Sequence, residues 1–192
     1  MAFSSLDLEE QTFKAEDYSK KSFDSHSFVN CSFDSCNFTE ALLRKSTFSS
    51  CTFKRCNFAL VKLDGCRMQD AVFIECKIVG AEFFKCDKPF FSATFFDSLV
   101  HYCNFSELNL KSGSFAKSKV KECYFTNTAL VRANFAEVDL AGTQFHNCDL
   151  SHADFSTAVN YNIDPITNKI KKAKFSLPEA VGLLRAFDIT LV

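Results

Sequence analysis

Tryptophan is missing from this chain, and glycine and proline are scarce, with five and three in 192 residues. So little glycine leaves no Gly-rich loop to cradle a phosphate, and neither HExxH nor a nucleophile elbow occurs. Net charge is also lacking: 22 Lys and Arg face 23 Asp and Glu. A dedicated nucleic-acid binder needs a basic stripe, so direct nucleic-acid binding is not expected. No apolar run is long enough to span a bilayer, and no membrane association is expected. The opening MAFSSLDLEEQ has no basic and then apolar leader, which predicts a cytoplasmic protein whose ten cysteines stay reduced. The four histidines, His26, His101, His146 and His152, are scattered. Together these absences predict a protein that binds rather than catalyses, with no cofactor and no metal.

What the chain has in excess is phenylalanine, 24 residues. Stepping by five from Phe13 reaches Tyr18, Phe23, Phe28, Phe33, Phe38, Leu43, Phe48, Phe53, Phe58, Leu63, Met68, Phe73, Ile78 and Phe83. The phase then slips. It resumes at Phe90 and runs through Phe95, Val100, Phe105, Leu110 and onward to Phe155 without a polar stop. Two residues before each stop the chain is mostly Cys, Ala, Ser, Thr or Gly, and nine of the ten cysteines fall in this slot, with Cys86 at the slip. A period of five fits neither a helix nor a flat strand. It fits a chain that turns a corner every five residues, pointing one large and one small side chain inward on each side. Four sides close a square coil, and coils stack at the strand spacing of about 4.8 Å. Seven to eight coils make a rod about 35 Å long.

Residues twenty apart then share a side. Looping out two residues near 86–91 keeps the column Phe13, Phe33, Phe53, Phe73, Phe95, Phe115, Phe135, Phe155 intact, so the slip reads as a bulge at Asp87, Lys88 and Pro89. A second column continues Met68 through Phe90 to Leu110. The stacked Cys36, Cys56 and Cys76 are expected to be small buried hydrophobes, not bridges or metal ligands.

The first coil fills its small slot with Gln11, Glu16, Lys21 and His26, so 1–22 reads as a degenerate cap. The coil proper spans 23–159, and 160–192 reads as a capping and pairing segment. There, Ser176 with Glu179 forms a capping-box pattern and Pro178 suits a first turn. Leu177, Ala180, Val181, Leu184 and Phe187 predict one apolar face of a short α-helix.

The segments CSFDSCNFTE, CTFKRCNFAL, ANFAE and ADFST resemble the consensus of the pentapeptide-repeat family. The resemblance implies an all-β solenoid, a right-handed quadrilateral β-helix closed by that short helix. The tail segments IDPITN, KFSLPEA and LLRAFDI are similar to those of the family's topoisomerase-protecting branch, which includes the Qnr quinolone-resistance proteins, the albicidin-resistance protein and the microcin B17 immunity protein. That likeness implies a DNA-like rod bound to DNA gyrase, or topoisomerase IV, as protection against a poison. It also implies a homodimer joined at the C-terminal ends, here through Leu184, Phe187, Ile189 and Leu191. The compact bulge departs from the longer loops of Qnr proteins and points towards albicidin-like or peptide poisons. The alternative is a generic protein-interaction scaffold.

Outward apolar residues gather around the slip: Val72, Ile74, Val79, Phe84, Phe91, Phe96, Leu99 and Tyr102. Exposed apolar clusters mark binding surfaces. Ile74, Phe84, Asp87, Lys88, Phe96 and Tyr102 are the expected partner contacts.

Overall fold

The computed structural model describes residues 7–187 and 189; Leu191, one of the expected pairing residues, lies outside the described residues. The chain winds as a right-handed, four-sided β-solenoid of about eight turns closed by one short helix. Its strands pair only in parallel, each with the strand one coil away. We number the sides by their first inward residue: Leu8 on the first, Phe13 on the second, Tyr18 on the third and Phe23 on the fourth.

The five-residue period has a local cause. Most corners hold one residue in the left-handed region, at Glu10, Ala15, Lys20, Ser25 and so on along the chain. Among the 26 such non-glycine residues there is no Val, Ile or Thr, side chains for which this conformation is most strained. Many corners are tied by a turn bond, such as Ala41 N–H to Phe38 O at 3.0 Å. The Asn or Asp just before the inward residue often accepts from the backbone two residues on: Asn37 from Thr39 at 3.1 Å, Asn104 from Ser106 at 2.9 Å, Asp154 from Ser156 at 3.0 Å. These bonds bend the chain, and the bend sends the next pentad along the next side.

Inside, the second-side column stacks ring on ring from Phe13 to Phe175 with centroids 4.6–5.3 Å apart. Rings on adjacent sides meet edge to face, as Phe48 and Phe53 do at 5.5 Å. Both are favoured aromatic geometries. The small slot adds a second tie between coils. Its thiol or hydroxyl donates to the carbonyl of the inward residue 23 positions earlier: Ser46 to Phe23 at 2.7 Å, Cys56 to Phe33 at 3.4 Å, Thr143 to Val120 at 2.7 Å. All ten cysteines are free and buried. Burial pushes the Cys51 thiol up to about 12 and raises Cys148 and Cys123 as well.

The slip is absorbed as two extra residues, since Phe73 pairs with Phe95 and Glu82 with Asn104. One expectation is corrected here. Phe90 does not fill the inward column; it is 48% exposed, and Phe91 is buried against Phe83 at 5.8 Å. The reason is a 3₁₀ turn over Lys88–Phe90, which shifts the inward phase by one residue. Phe91, expected outside, is therefore inside.

The columns also continue past Asn160. Ile163 is buried, Asn168 takes the small slot and donates to Phe145 O at 3.0 Å, and Phe175 stacks on Phe155. The closing helix spans Glu179–Phe187 with 3₁₀ pitch. None of its residues is buried, and Leu183 rests partly on the core.

Candidate binding surface

With the interior filled by side chains, the rod's chemistry lies on its outside. Ile74 and Phe96 are register partners on adjacent second-side strands, so their side chains neighbour each other on one flank. Phe96 is 39% exposed, and the Lys117 ammonium lies 5.6 Å from its ring centre. That contact is a cation–π pair and leaves the rest of the ring open.

Phe84 does not join them. It follows inward Phe83 on the fourth side, two corners from Ile74, and so occupies the opposite flank, half-buried with Lys85 5.9 Å from its ring. Tyr102 stands on the corner between the third and fourth sides, 59% exposed and stacked on His101 at 4.0 Å. Directly along that corner come Gly80 and Leu60, the latter 49% exposed. Gly80 has φ +69°, and a Cβ there would lie 2.9 Å from Leu60 Cδ2. Leu60 thus lies over the glycine, making an apolar corner with Tyr102. Leu60 escaped the sequence reading, although it is an apolar residue where the other corners are mostly polar.

Asp87 and Lys88 are held down. Asp87 takes a hydrogen bond from Arg67 Nε at 2.8 Å, and Lys88 donates to Glu107. The bulge is compact, and its exposed Phe90 ring lies 5.0 Å from the Arg67 guanidinium. Other surface cations are likewise paired along the rod: Arg44 with Asp24 at 3.0 Å, Arg55 with Asp34 at 2.6 Å, Lys174 with Asp154 at 3.1 Å. Such pairs cancel much of the local field.

At the C-terminal end the closing helix stands off the last corner and leaves an open cleft of about 1010 Å³ lined by Gly142, Tyr161, Val181, Leu184, Arg185 and Ile189, among others. Leu184, Phe187 and Ile189 are 36%, 55% and 54% exposed. The Tyr161 hydroxyl is buried here and has no hydrogen-bond partner among the described residues. Among the described residues no helix is long and apolar enough to cross a membrane.

The described residues thus form a four-sided solenoid with exposed apolar side chains on its flanks and an uncovered apolar end. The model of the pentapeptide repeats matches residues 27–58, 53–87 and 121–156, and the chain belongs to the pentapeptide-repeat family. Among solved structures it is similar to full-length QnrB1, a plasmid-mediated fluoroquinolone resistance protein, at 20% identity over 95% of this chain and 90% of that one, with a TM-score of 0.51. A trypsin-treated QnrB1 variant gives 21% identity, 97% and 90% coverage and a TM-score of 0.50. HetL, a pentapeptide repeat protein involved in heterocyst differentiation regulation in the cyanobacterium Nostoc, is 14% identical over 88% of each chain with a TM-score of 0.44. No curated protein matches the sequence.

Proposed function

We propose that this protein binds bacterial DNA gyrase, or topoisomerase IV, as a rod and protects it from a poison that traps cleaved DNA, conferring resistance or self-immunity. The observation that carries this reading is the rod's C-terminal end. Leu184 and Phe187 stay uncovered there, on a helix that buries none of its own residues, and Ile189 just beyond it is exposed as well. A helix this short needs a partner surface. A second copy docked end to end supplies one and doubles the length of the rod. Support also comes from the tail segments that resemble the topoisomerase-protecting branch and from the fold shared with a fluoroquinolone resistance protein. Ile74 and Phe96 then act as apolar anchors in mid-rod, where binding energy concentrates on a few side chains. Charge plays a smaller part. The coil body has a net charge of only about −3, far below the charge density of a DNA duplex.

The test is gyrase supercoiling with and without the protein across several poisons, albicidin-like and peptide poisons included. Restored supercoiling with fewer trapped cleavage complexes is expected. Light scattering should report a dimer, and Phe187→Asp with Ile189→Asp should abolish the end-to-end contact.

A second reading, a generic interaction scaffold, is favoured by one observation. Exposed apolar side chains lie on several parts of the rod, Phe96 on one flank, Leu60 and Tyr102 on a corner and Tyr124 on the fourth side. Absence of any effect on gyrase, together with capture of another protein through Phe96, would establish it.

A further inference from the structure

One side of the rod carries a charge gradient that the topoisomerase reading does not use. On the first side Asp7 pairs with Ser27 and Glu9 with Val29, and the strands continue through Thr47 and Ser49 to Arg67 and Gln69. Beyond the bulge, Asn109 pairs with Ala129 and Asp149 with Lys169. The adjoining corner begins Glu10, Asn30, Ser50, Asp70 and ends Ser112, Arg132, His152, Lys172, all left-handed in φ. Three exposed acids, Asp7, Glu9 and Glu10, therefore occupy the first coil of this side. Three exposed bases, Lys169, Lys171 and Lys172, occupy the last. Small neutral residues fill most of the span between. Among the described residues no ion pair engages Glu9, Glu10, Arg132, Lys171 or Lys172, whereas Arg44, Arg55 and Arg67 are all paired.

We propose that this side is a self-association surface on which a second copy of the chain lies antiparallel. A two-fold axis lying between the rods and perpendicular to them reverses the order of coils and keeps each column opposite itself. Asp7 then faces Lys169, Glu9 faces Lys171 and Glu10 faces Lys172, and symmetry repeats the set at the other end. Within the span Arg67 faces Asn109, Arg132 faces Ser50 and Asp70 faces Ser112; like charges meet only on the axis, where Asp87 is already paired with Arg67 and Lys88 with Glu107. Such an interface is isologous and closed. The coil nearest the axis is the bulge, where the exposed Phe90 ring meets its own copy at the centre. A parallel arrangement would set acids against acids and bases against bases. The charge pattern selects the antiparallel one.

This contact is separate from the end-to-end pairing proposed above, so it is tested in a chain carrying Phe187→Asp and Ile189→Asp. Sedimentation velocity should show a dimer near 0.01 M salt, where the Debye length is about 30 Å, and a monomer near 1 M, where it is about 3 Å. Glu9→Lys with Glu10→Lys, and separately Lys171→Glu with Lys172→Glu, should each weaken the dimer about tenfold or more. All four positions are exposed, so circular dichroism should not change. Mixing the two reversed chains should restore association as a heterodimer, because each reversed end then faces its opposite. A monomer at low salt, a dimer indifferent to the reversals, or no rescue on mixing would overturn the proposal. If the end-to-end pairing is itself wrong, the unsubstituted chain gives the same salt dependence and the same rescue.

Discussion

Replacing Phe53 by Ala tests the stacked core where it is most complete. The side chain is fully buried, its ring stacked between Phe33 and Phe73 at 5.0 Å on either side. Edge contacts with Phe48 and Phe58 at 5.5 and 5.1 Å close the ring of neighbours. Loss of burial costs about 2–3 kcal/mol. The neighbours are held in register by hydrogen bonds to the coils on both sides, so they close the void poorly. A void on the order of 80 Å³, at about 24 cal/mol per Å³, adds about 2 kcal/mol. The expected destabilisation is therefore about 4–5 kcal/mol. Phe13→Ala, in the partly exposed first coil, should cost only about 1–2 kcal/mol. Guanidinium unfolding followed by far-UV circular dichroism measures both. Hydrogen exchange on Ser32–Lys54 separates local from global loss, because stacked coils contact only their neighbours and unfold in parts. Equal costs for the two variants, or a cost below about 1 kcal/mol at Phe53, would refute the argument.

Thr143→Val keeps the volume of the small slot but removes the hydroxyl that donates to Val120 and accepts from Cys123 N–H at 3.2 Å. It should cost about 1–3 kcal/mol in urea unfolding. Cys51, Cys123 and Cys148 should stay unlabelled by thiol reagents at neutral pH until the coil opens, since burial keeps their thiols protonated. Labelling at the rate of a free thiol would contradict their inward placement. The carboxylates of Asp149 and Asp154 are held below the ordinary aspartate value of 3.8, chiefly by hydrogen bonds from Ser151 and Ser156. A depressed folded pKa stabilises above the unfolded value, so this contribution is full above about pH 4 and is lost as pH falls through the folded values. Asp154→Asn should flatten that acid limb, which a pH series of unfolding midpoints will read.

Most of the architecture was legible because one interaction repeats. Each Phe in the second-side column faces the same surroundings, so the spacing of five and the twenty-residue recurrence carry the coil, and Phe73 with Phe95 carries it across the slip. Phe90 and Phe91 were exchanged because counting by five cannot see a 3₁₀ turn that takes up one more residue. The cysteine slot was legible as small and buried. Its hydrogen bonds to carbonyls of the previous coil were not, because they depend on distance across coils. The corners carried an unused signal, the absence of Val, Ile and Thr where φ is positive. In the candidate surface, Ile74 and Phe96 follow from register alone. Phe84 lies ten residues beyond Ile74, two sides away, so the same arithmetic places it on the opposite flank. Tyr102 and Leu60 needed the corner geometry, with Gly80 between them, to be seen together.

The central functional claim is that a partner topoisomerase is engaged by the outside of an intact rod. Direct titration of purified gyrase with the native chain, and with Phe96→Asp, tests it most directly. Phe96 is outward, so the variant should keep the native circular dichroism spectrum. The account predicts saturable binding by the native chain and a loss of about tenfold or more in affinity for Phe96→Asp. No binding by the native chain, or equal binding by both, would contradict it.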